Sequence, residues 1–384
     1  MITLLAATLL LTAPYGTVYD DRNANGRRDS GEAGIAGVVV SNQDAVVRTD
    51  ASGAYRMTDA GVGIVHVSLP DGWQATGSFW LPIAENASVP LDFGLTKARR
   101  VDTFSFVHAS DTHISAASAA RTDRLRTLLD SLLPAFVLIS GDLVRDALRV
   151  GEAEATGYYQ LFTEKIGAFP VPTYTVPGNH EVFGIERDKS LVSPDHPLFG
   201  RAMYRRYRGP DYYSFNVGGV HVVALNSVDI SDQWYYGHVD SLQLAWLERD
   251  LAMVPPTTPV VTFNHIPFFS SAESLHGYND GPPAPSLITV RGKAQYRHTV
   301  SNASEVLALL KGRAHPLALS GHGHTAERLR FAGVATRFDQ AAAIVGPSSG
   351  AGMTFPSGIT LYRVRRGIIE EGRFIPLGID PAAR

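Results

Sequence analysis

Five short polar stretches, each preceded by a run of apolar residues, constrain the fold of this 384-residue chain more than any other feature. The apolar runs are bounded by glycine and proline and have the length of buried β-strands; they cover residues 103–107, 136–139, 173–176, 260–263 and 317–319. The polar stretches that follow them are residues 111–113, 141–142, 178–181, 264–265 and 321–324. Because open α/β sheets place their sites at the carboxyl ends of strands, we expect the five stretches to meet.

The side chains of these stretches are oxygen and imidazole donors, and the chain contains no cysteine. Such donors suit zinc, iron or manganese, and two ions in one site are typical of hydrolysis at phosphorus. Asp111 and His113 are two positions apart, and so are His322 and His324. If the backbone there is extended, both members of each pair point to the same side and can face one metal cluster.

The order of the stretches resembles the signature of the calcineurin-like metallophosphoesterases: Asp-x-His, Gly-Asp, Gly-Asn-His-Glu, a single His and Gly-His-x-His. The resemblance implies a layered αββα sandwich of two mixed sheets, which we place in residues 101–384. It also implies a phosphodiesterase or phosphatase in which a metal-bridging hydroxide attacks phosphorus in line with the leaving group. The substrate would be a small phosphoester.

The same resemblance implies a role for each residue of the motifs. Seven residues would hold two metal ions: Asp111, His113, Asp142, Asn179, His265, His322 and His324. Asp142 would bridge the ions and is therefore also counted as catalytic. His180 would bind no metal; it would face the phosphate and stabilise or protonate the leaving oxygen.

The subfamily, the substrate class and the choice between an enzyme and a binding protein remain open within this prediction. Arg145 stands where purple acid phosphatases carry a metal-bound tyrosine, which disfavours that subfamily. Residues 243–247 are similar to a structural helix of cyclic-nucleotide-phosphodiesterase-like relatives. Nucleotide, lipid-headgroup and sugar-phosphate esters all remain candidate substrates, selected by loops such as residues 270–301. The chain could also be an exported binding or adhesion protein with a non-catalytic metal domain, although the complete ligand set favours an enzyme.

The N-terminal region carries a second motif, the twelve-residue calcium loop. The predicted calcium ligands are Asp21, Asn23, Asn25, the carbonyl of Arg27, Asp29 and Glu32. Strand-like segments flank the loop, so it is not a helix–loop–helix sensor. Residues 15–96 as a whole resemble the small all-β sandwich module of bacterial surface proteins, with a spacing or docking role. A polar turn that binds no metal is the alternative.

Charge and the first residues bear on partners and location. The formal net charge is −3 and no long basic run occurs, so we expect no nucleic-acid partner. Residues 2–11 are apolar but too short for a membrane span. We interpret residues 1–13 as a signal peptide and expect a secreted or periplasmic protein, with a buried segment as the alternative. The oligomeric state is not indicated.

Overall fold

The structure is a computed structural model that describes residues 13–83, 89–279, 281 and 285–379. Residues 1–12 of the predicted signal peptide lie outside the described residues. The chain divides into two compact units, residues 1–99 and 100–384. Among the helices that the structure describes, none combines the length and the hydropathy needed to cross a membrane.

The N-terminal unit is all-β, as predicted. Its strands are β1 (Tyr15–Asp20), β2 (Val39–Ser41), β3 (Val46–Arg48), β4 (Ala54–Arg56), β5 (Ile64–Ser68), β6 (Trp73–Ala75), β7 (Trp80–Pro82) and β8 (Phe93–Lys97). They form two four-stranded sheets, in the orders β4-β1-β8-β6 and β3-β2-β5-β7. Val18, Val65 and Leu95 are fully buried. On β8, the buried residues Phe93 and Leu95 alternate with more exposed ones, because successive side chains of a strand point to opposite faces.

The second unit contains eighteen described strands and seven described helices. The strands are β9 (Thr103–Ala109), β10 (Val137–Ser140), β11 (Thr173–Val176), β12 (Tyr213–Val217), β13 (Val220–Ala224), β14 (Val228–Ser231), β15 (Trp234–Gly237), β16 (Val260–Phe263), β17 (Leu287–Val290), β18 (Lys293–Tyr296), β19 (Leu317–Ser320), β20 (Glu327–Leu329), β21 (Arg337–Gln340), β22 (Ser348–Gly350), β23 (Met353–Phe355), β24 (Gly358–Arg365), β25 (Ile368–Ile369) and β26 (Arg373–Pro376). The helices are α1 (Ala119–Leu132), α2 (Glu152–Gly167), α3 (Arg187–Ser190), α4 (Ala202–Arg208), α5 (Ser241–Leu251), α6 (Ala272–His276) and α7 (Ala303–Leu309).

Two six-stranded mixed sheets form the body of this unit. The first has the order β11-β10-β9-β24-β25, with β26 paired to β24, and the second has the order β12-β13-β16-β19-β21-β20. The sheets pack face to face: the ring of Tyr174 on β11 stacks on that of Phe215 on β12, with centroids 3.9 Å apart. Tyr362 on β24 donates to Asp339 on β21 over 2.8 Å.

Helices cover the outer faces of both sheets. On the first sheet, α1 and α2 share one apolar core with β9 and β10. On the second sheet, Asp250 of α5 accepts a hydrogen bond from Ser214 of β12 and contacts His221 of β13, at 2.7 Å and 2.8 Å. The predicted αββα sandwich is confirmed. Because β9, β10 and β11 are parallel, and so are β16 and β19, the strands that precede the polar stretches end at shared edges.

A buried ion pair beside β12 supports a prediction on stability. Arg205 binds both oxygens of Asp211, at 2.8 Å and 3.2 Å, and Asn226 donates to the same carboxylate over 2.9 Å. Asp211→Ala would leave the Arg205 charge unpaired, so we expect a loss of about 3–5 kcal/mol of unfolding free energy in urea titrations. Glu370→Ala removes an exposed ion pair with Arg365 and should cost at most about 1 kcal/mol. Equal effects would contradict the prediction.

The same carboxylate gives a pH dependence. Burial raises the pKa of Asp211, but Arg205, Arg201 and Asn226 outweigh it and lower the pKa to about 2. The stabilisation is therefore complete above the unfolded-state pKa of about 3.9 and is lost as pH falls through about 2. The difference in unfolding free energy between the wild type and Asp211→Ala should shrink across that range.

Candidate metal centre

The structure brings all five polar stretches together. Each one directly follows the strand predicted to precede it: β9, β10, β11, β16 and β19. The predicted metal ligands fall into two groups of donor atoms that share Asp142.

The first group contains Asp111, His113, Asp142 and His324, with one donor atom of each lying within 4.8 Å of the others. His324 Nε2 lies 3.2 Å from Asp111 Oδ1, and His113 Nε2 lies 3.4 Å from Asp142 Oδ2. The Nε2 atoms of His113 and His324 are themselves 3.2 Å apart. These four residues are the predicted ligands of one ion.

The second group contains Asp142, His265 and His322, again within 4.8 Å of one another. His265 Nε2 lies 3.3 Å from Asp142 Oδ1, 3.1 Å from Asn179 Oδ1 and 3.2 Å from His322 Nδ1. Asp142 therefore presents Oδ2 to the first group and Oδ1 to the second. This is the arrangement that a bridging carboxylate requires.

The donor set fits two cations of the zinc, iron or manganese type. Asp111 Oδ1 is buried and accepts no hydrogen bond from any described residue, which is costly for a carboxylate unless a cation compensates. Burial lowers the pKa of His113 to about 4 and holds the pKa of His322 well below its usual value, so both rings are neutral and can offer a lone pair to a metal. Against the effect of burial, Asp142 raises the pKa of His265 to about 9 and Asp111 raises the pKa of His324, so a cation would displace a proton from these two rings.

The ligand pairs converge in a different way from the one predicted. Five ligands have positive φ angles: Asp111 (55°), His113 (37°), Asp142 (49°), His322 (74°) and His324 (56°). The prediction of extended backbone was therefore wrong, because left-handed turns after the strands aim the side chains at one point. Such conformations are strained for residues other than glycine, and functional sites concentrate them.

Glycines of the motifs allow the loops to approach one another. A Cβ atom added to Gly178 would lie 2.2 Å from Asp142 Oδ1 and 2.3 Å from the Asp142 backbone nitrogen. A Cβ atom on Gly141, whose φ is 85°, would lie 2.6 Å from His265 Nδ1. A side chain at either position would displace a metal ligand.

His180 faces the ligand groups without belonging to either. Its Nδ1 donates to the Arg145 carbonyl over 2.7 Å, which leaves Nε2 directed at the site, 3.9 Å from Asp142 Oδ2. The ring lies edge-on to that of His113, with centroids 4.5 Å apart. Since its side chain is 22% exposed, a substrate can reach it. This geometry suits the predicted proton donor.

Comparison with known families agrees with this geometry. The model of the calcineurin-like phosphoesterase family matches residues 104–326, more than half of the chain. The chain belongs to the calcineurin-like phosphoesterase family. The members of this family are metal-dependent phosphoric ester hydrolases. A second model, the N-terminal domain of calcineurin-like phosphoesterases, matches residues 22–98.

Individual relatives match parts of the chain. A probable cyclic nucleotide phosphodiesterase of Rhodococcus erythropolis is 23% identical over 241 residues, 59% of this chain and 67% of the relative. A 3',5'-cyclic-nucleotide phosphodiesterase of Nostoc sp. is 29% identical over 41% of this chain and 49% of the relative. The serine/threonine-protein phosphatase CPPED1 of Bos taurus is 29% identical over 35% and 41%. The chain thus spans about half the length of the curated relatives it matches.

Solved structures include a dimetal phosphatase of Danio rerio, with 14% identity and a TM-score of 0.46 over 72% of this chain and 99% of that chain.

Sequence reasoning missed the role of Glu181. One of its carboxylate oxygens accepts from the backbone nitrogens of Leu143 and Val144 at 2.8 Å and 2.9 Å, and the other accepts from Gly178 at 2.6 Å. Burial and the nearby Asp142 raise the pKa of Glu181 to about 8, against the lowering effect of the Val144 and Gly178 N–H donors and of His265. Glu181 ties the loop of Asp142 to the loop of Asn179. The position of Glu181 at the end of the Gly-Asn-His-Glu motif was the sequence signal from which this role could have been predicted.

The imidazole ligands are oriented by groups behind them. His265 Nδ1 donates to the Ser140 carbonyl over 2.7 Å, which leaves the Nε2 lone pair for a metal. His322 uses Nδ1 toward the centre, so its Nε2 donates to His298 Nδ1 over 2.7 Å. No sequence signal linked His298 to His322, because the contact crosses from one loop to another.

This contact supports a prediction that separates the two nitrogens of His298. His298→Asn places an acceptor near the Nδ1 position, whereas His298→Gln has its amide near Nε2 and loses that acceptor. We expect His298→Gln to weaken metal binding about 10–100-fold and His298→Asn to stay closer to the wild type. Titration against a chromogenic chelator measures the metal affinity of both variants. Equal losses in the two variants would show that His298 does not orient His322.

Three arginines of the second unit are engaged in contacts away from the metal ligands. Arg297 is buried, lies 4.2 Å above the Tyr235 ring and donates to the Tyr235 and Pro285 carbonyls. Arg201 pairs with Asp229 and Asp240, and Arg205 pairs with Asp211. These side chains hold loops together.

The predicted calcium loop is folded by its own polar groups. Asp21 Oδ2 accepts from the Gly26 nitrogen over 2.8 Å, and the amides of Asn23 and Asn25 both donate to Asp29 Oδ2 over 2.8 Å. Glu32 accepts from the backbone of Arg22 and Asp29. Across the described residues, the close groups of three or more carboxylates or imidazoles are the two that share Asp142. Calcium binding therefore stays a prediction.

Proposed function

We propose that this protein hydrolyses phosphodiesters at a centre of two metal ions. The observation that carries the proposal is the Asp142 carboxylate, which offers one oxygen to each of two ligand groups. A cavity of about 410 Å³ adjoins His322 and His324 and has room for a substituent on phosphorus. Diesters are favoured over monoesters because two of the similar proteins are named as cyclic-nucleotide phosphodiesterases.

The residues of the chain divide the chemistry among them. Two bound ions would supply activation of water and neutralisation of charge on the phosphate oxygens. Asp111, His113, Asp142 and His324 would hold one ion, and Asn179, His265 and His322 with Asp142 the other. His180, anchored through Nδ1, would deliver a proton from Nε2 to the departing oxygen.

Hydrolysis of two chromogenic esters by metal-reconstituted protein tests the proposal. Bis(p-nitrophenyl) phosphate should be cleaved faster than p-nitrophenyl phosphate. Cleavage of the monoester alone would make the protein a phosphatase. No turnover of either ester with two ions bound would overturn the proposal and favour the alternative, a binding or adhesion protein with a non-catalytic metal domain.

The proposal includes a calcium ion in residues 21–32, supported by the match to the twelve-residue loop. Ligand binding to the folded state alone stabilises it by about 2.7 kcal/mol at a hundredfold excess over Kd. We therefore expect calcium, compared with a chelator, to raise the melting temperature of the N-terminal unit in the full chain. Asp21→Ala should abolish that increase. An identical response to calcium in Asp21→Ala and in the wild type would contradict the prediction.

Export is also part of the proposal, supported by the apolar run of residues 2–11. Fractionation of cells that express the full chain should recover the protein outside the cytoplasm.

A further inference from the structure

A cavity beside the metal centre has a composition that points to the substrate. It has a volume of about 410 Å³, and the ligands His322 and His324 form part of its wall. The other lining residues are Ala272, Glu273, His276, Gly277, Asn279, Ser286, His298, Gly323 and Ser348. A phosphate at the metal centre would have one substituent at the mouth of this cavity.

The walls of the cavity are held by specific contacts. Ser286, which is buried, donates to Glu273 Oε2 over 2.8 Å and accepts from the Asn279 backbone nitrogen over 3.1 Å. The hairpin of β22 and β23 packs on α6: a Cβ atom on Gly350 would lie 2.9 Å from the Leu275 carbonyl oxygen. Ser286 therefore holds the Glu273 carboxylate, and the hairpin holds the helix that carries it.

Away from the metal ligands, Glu273 is the carboxylate among the described residues of the cavity wall, which also carries the imidazoles of His276 and His298. Lysine and arginine are absent from these described lining residues. The Nδ1 atom of His298 lies 2.7 Å from His322 Nε2, so this ring is engaged with the wall of the metal centre. A second phosphate or a carboxylate in the substituent would be repelled by Glu273, whereas an ammonium group would be attracted.

We propose that this cavity binds an alcohol substituent that carries an ammonium group, with Glu273 as its counter-ion. This inference rests on the proposed phosphodiesterase function and specifies its substrate class: phosphodiesters of amino alcohols. A partly exposed ion pair of this kind is worth up to about 1 kcal/mol, which corresponds to about fivefold in affinity.

A matched pair of ligands tests the inference by calorimetry. Phosphocholine and 3,3-dimethylbutyl phosphate have nearly the same shape and differ in the positive charge. Metal-reconstituted protein should bind phosphocholine about fivefold more tightly. Glu273→Gln keeps an acceptor for Ser286 and should remove the preference. Glu164→Gln, an exposed position on α2, should keep it.

The outcomes separate this inference from the proposed function. Equal binding of the two ligands by the wild type, or a preference that persists in Glu273→Gln, would overturn the role of Glu273. Turnover is measured separately with the p-nitrophenyl diesters of the same two alcohols. A charge preference that Glu273→Gln removes, without turnover of either diester, would support the binding site and reject the hydrolase.

Discussion

Asp142→Ala is expected to abolish phosphoester hydrolysis, with a loss of about 10⁴-fold or more in kcat/KM. Asp142 belongs to both ligand groups, so its removal weakens both ions at once. His113 contacts one carboxylate oxygen of Asp142, and His265 contacts the other. Metal analysis and turnover on the same preparation measure the effect, and the variant should retain clearly less than two ions per chain.

The control for this variant is Asp195→Ala, which removes an exposed carboxylate in the same unit. It should keep wild-type metal content and turnover. If Asp142→Ala bound two ions and hydrolysed esters like Asp195→Ala, the bridging role of Asp142 would be wrong.

His180→Ala is expected to lower kcat by about 10²–10⁴-fold while metal content stays at the wild-type level. The reason is geometric: His180 lies against His113 but is in neither ligand group. Because a proton donor matters most when the leaving oxygen is strongly basic, the loss should be larger for an alkyl ester than for a p-nitrophenyl ester.

His196→Ala provides the comparison for His180, since His196 pairs with Glu152 at the surface and has no place in the centre. Its kcat should be unchanged. Loss of metal in His180→Ala, or an equal loss of rate for good and poor leaving groups, would rule out the role of proton donor.

The fold was predictable because apolar runs and polar stretches alternate along the chain. The runs at residues 173–176 and 260–263 became β11 and β16 with the predicted bounds. The strand β16 is buried along its whole length, and burial on both faces demands a nearly continuous apolar run, which leaves a clear pattern. The family model then confirmed what the order of the motifs indicated.

The local geometry of the centre was harder to predict. The spacing of two residues predicts whether their side chains point to the same face only while the backbone stays extended. His113 and His322 lie beyond the ends of their strands and have φ angles of 37° and 74°. Contacts between loops also leave no periodic pattern. The bond from His322 to His298 and the burial of Arg297 both depend on how residues 270–301 fold back on the unit.

The central claim is that two ions held around Asp142 make this protein a phosphoesterase. The most direct measurement is the rate of bis(p-nitrophenyl) phosphate hydrolysis by metal-free protein as manganese or zinc is added in known equivalents. The rate should be negligible without metal and should rise to a plateau at two equivalents per chain. A plateau at one equivalent, undiminished hydrolysis without metal, or no hydrolysis with two ions bound would contradict the claim.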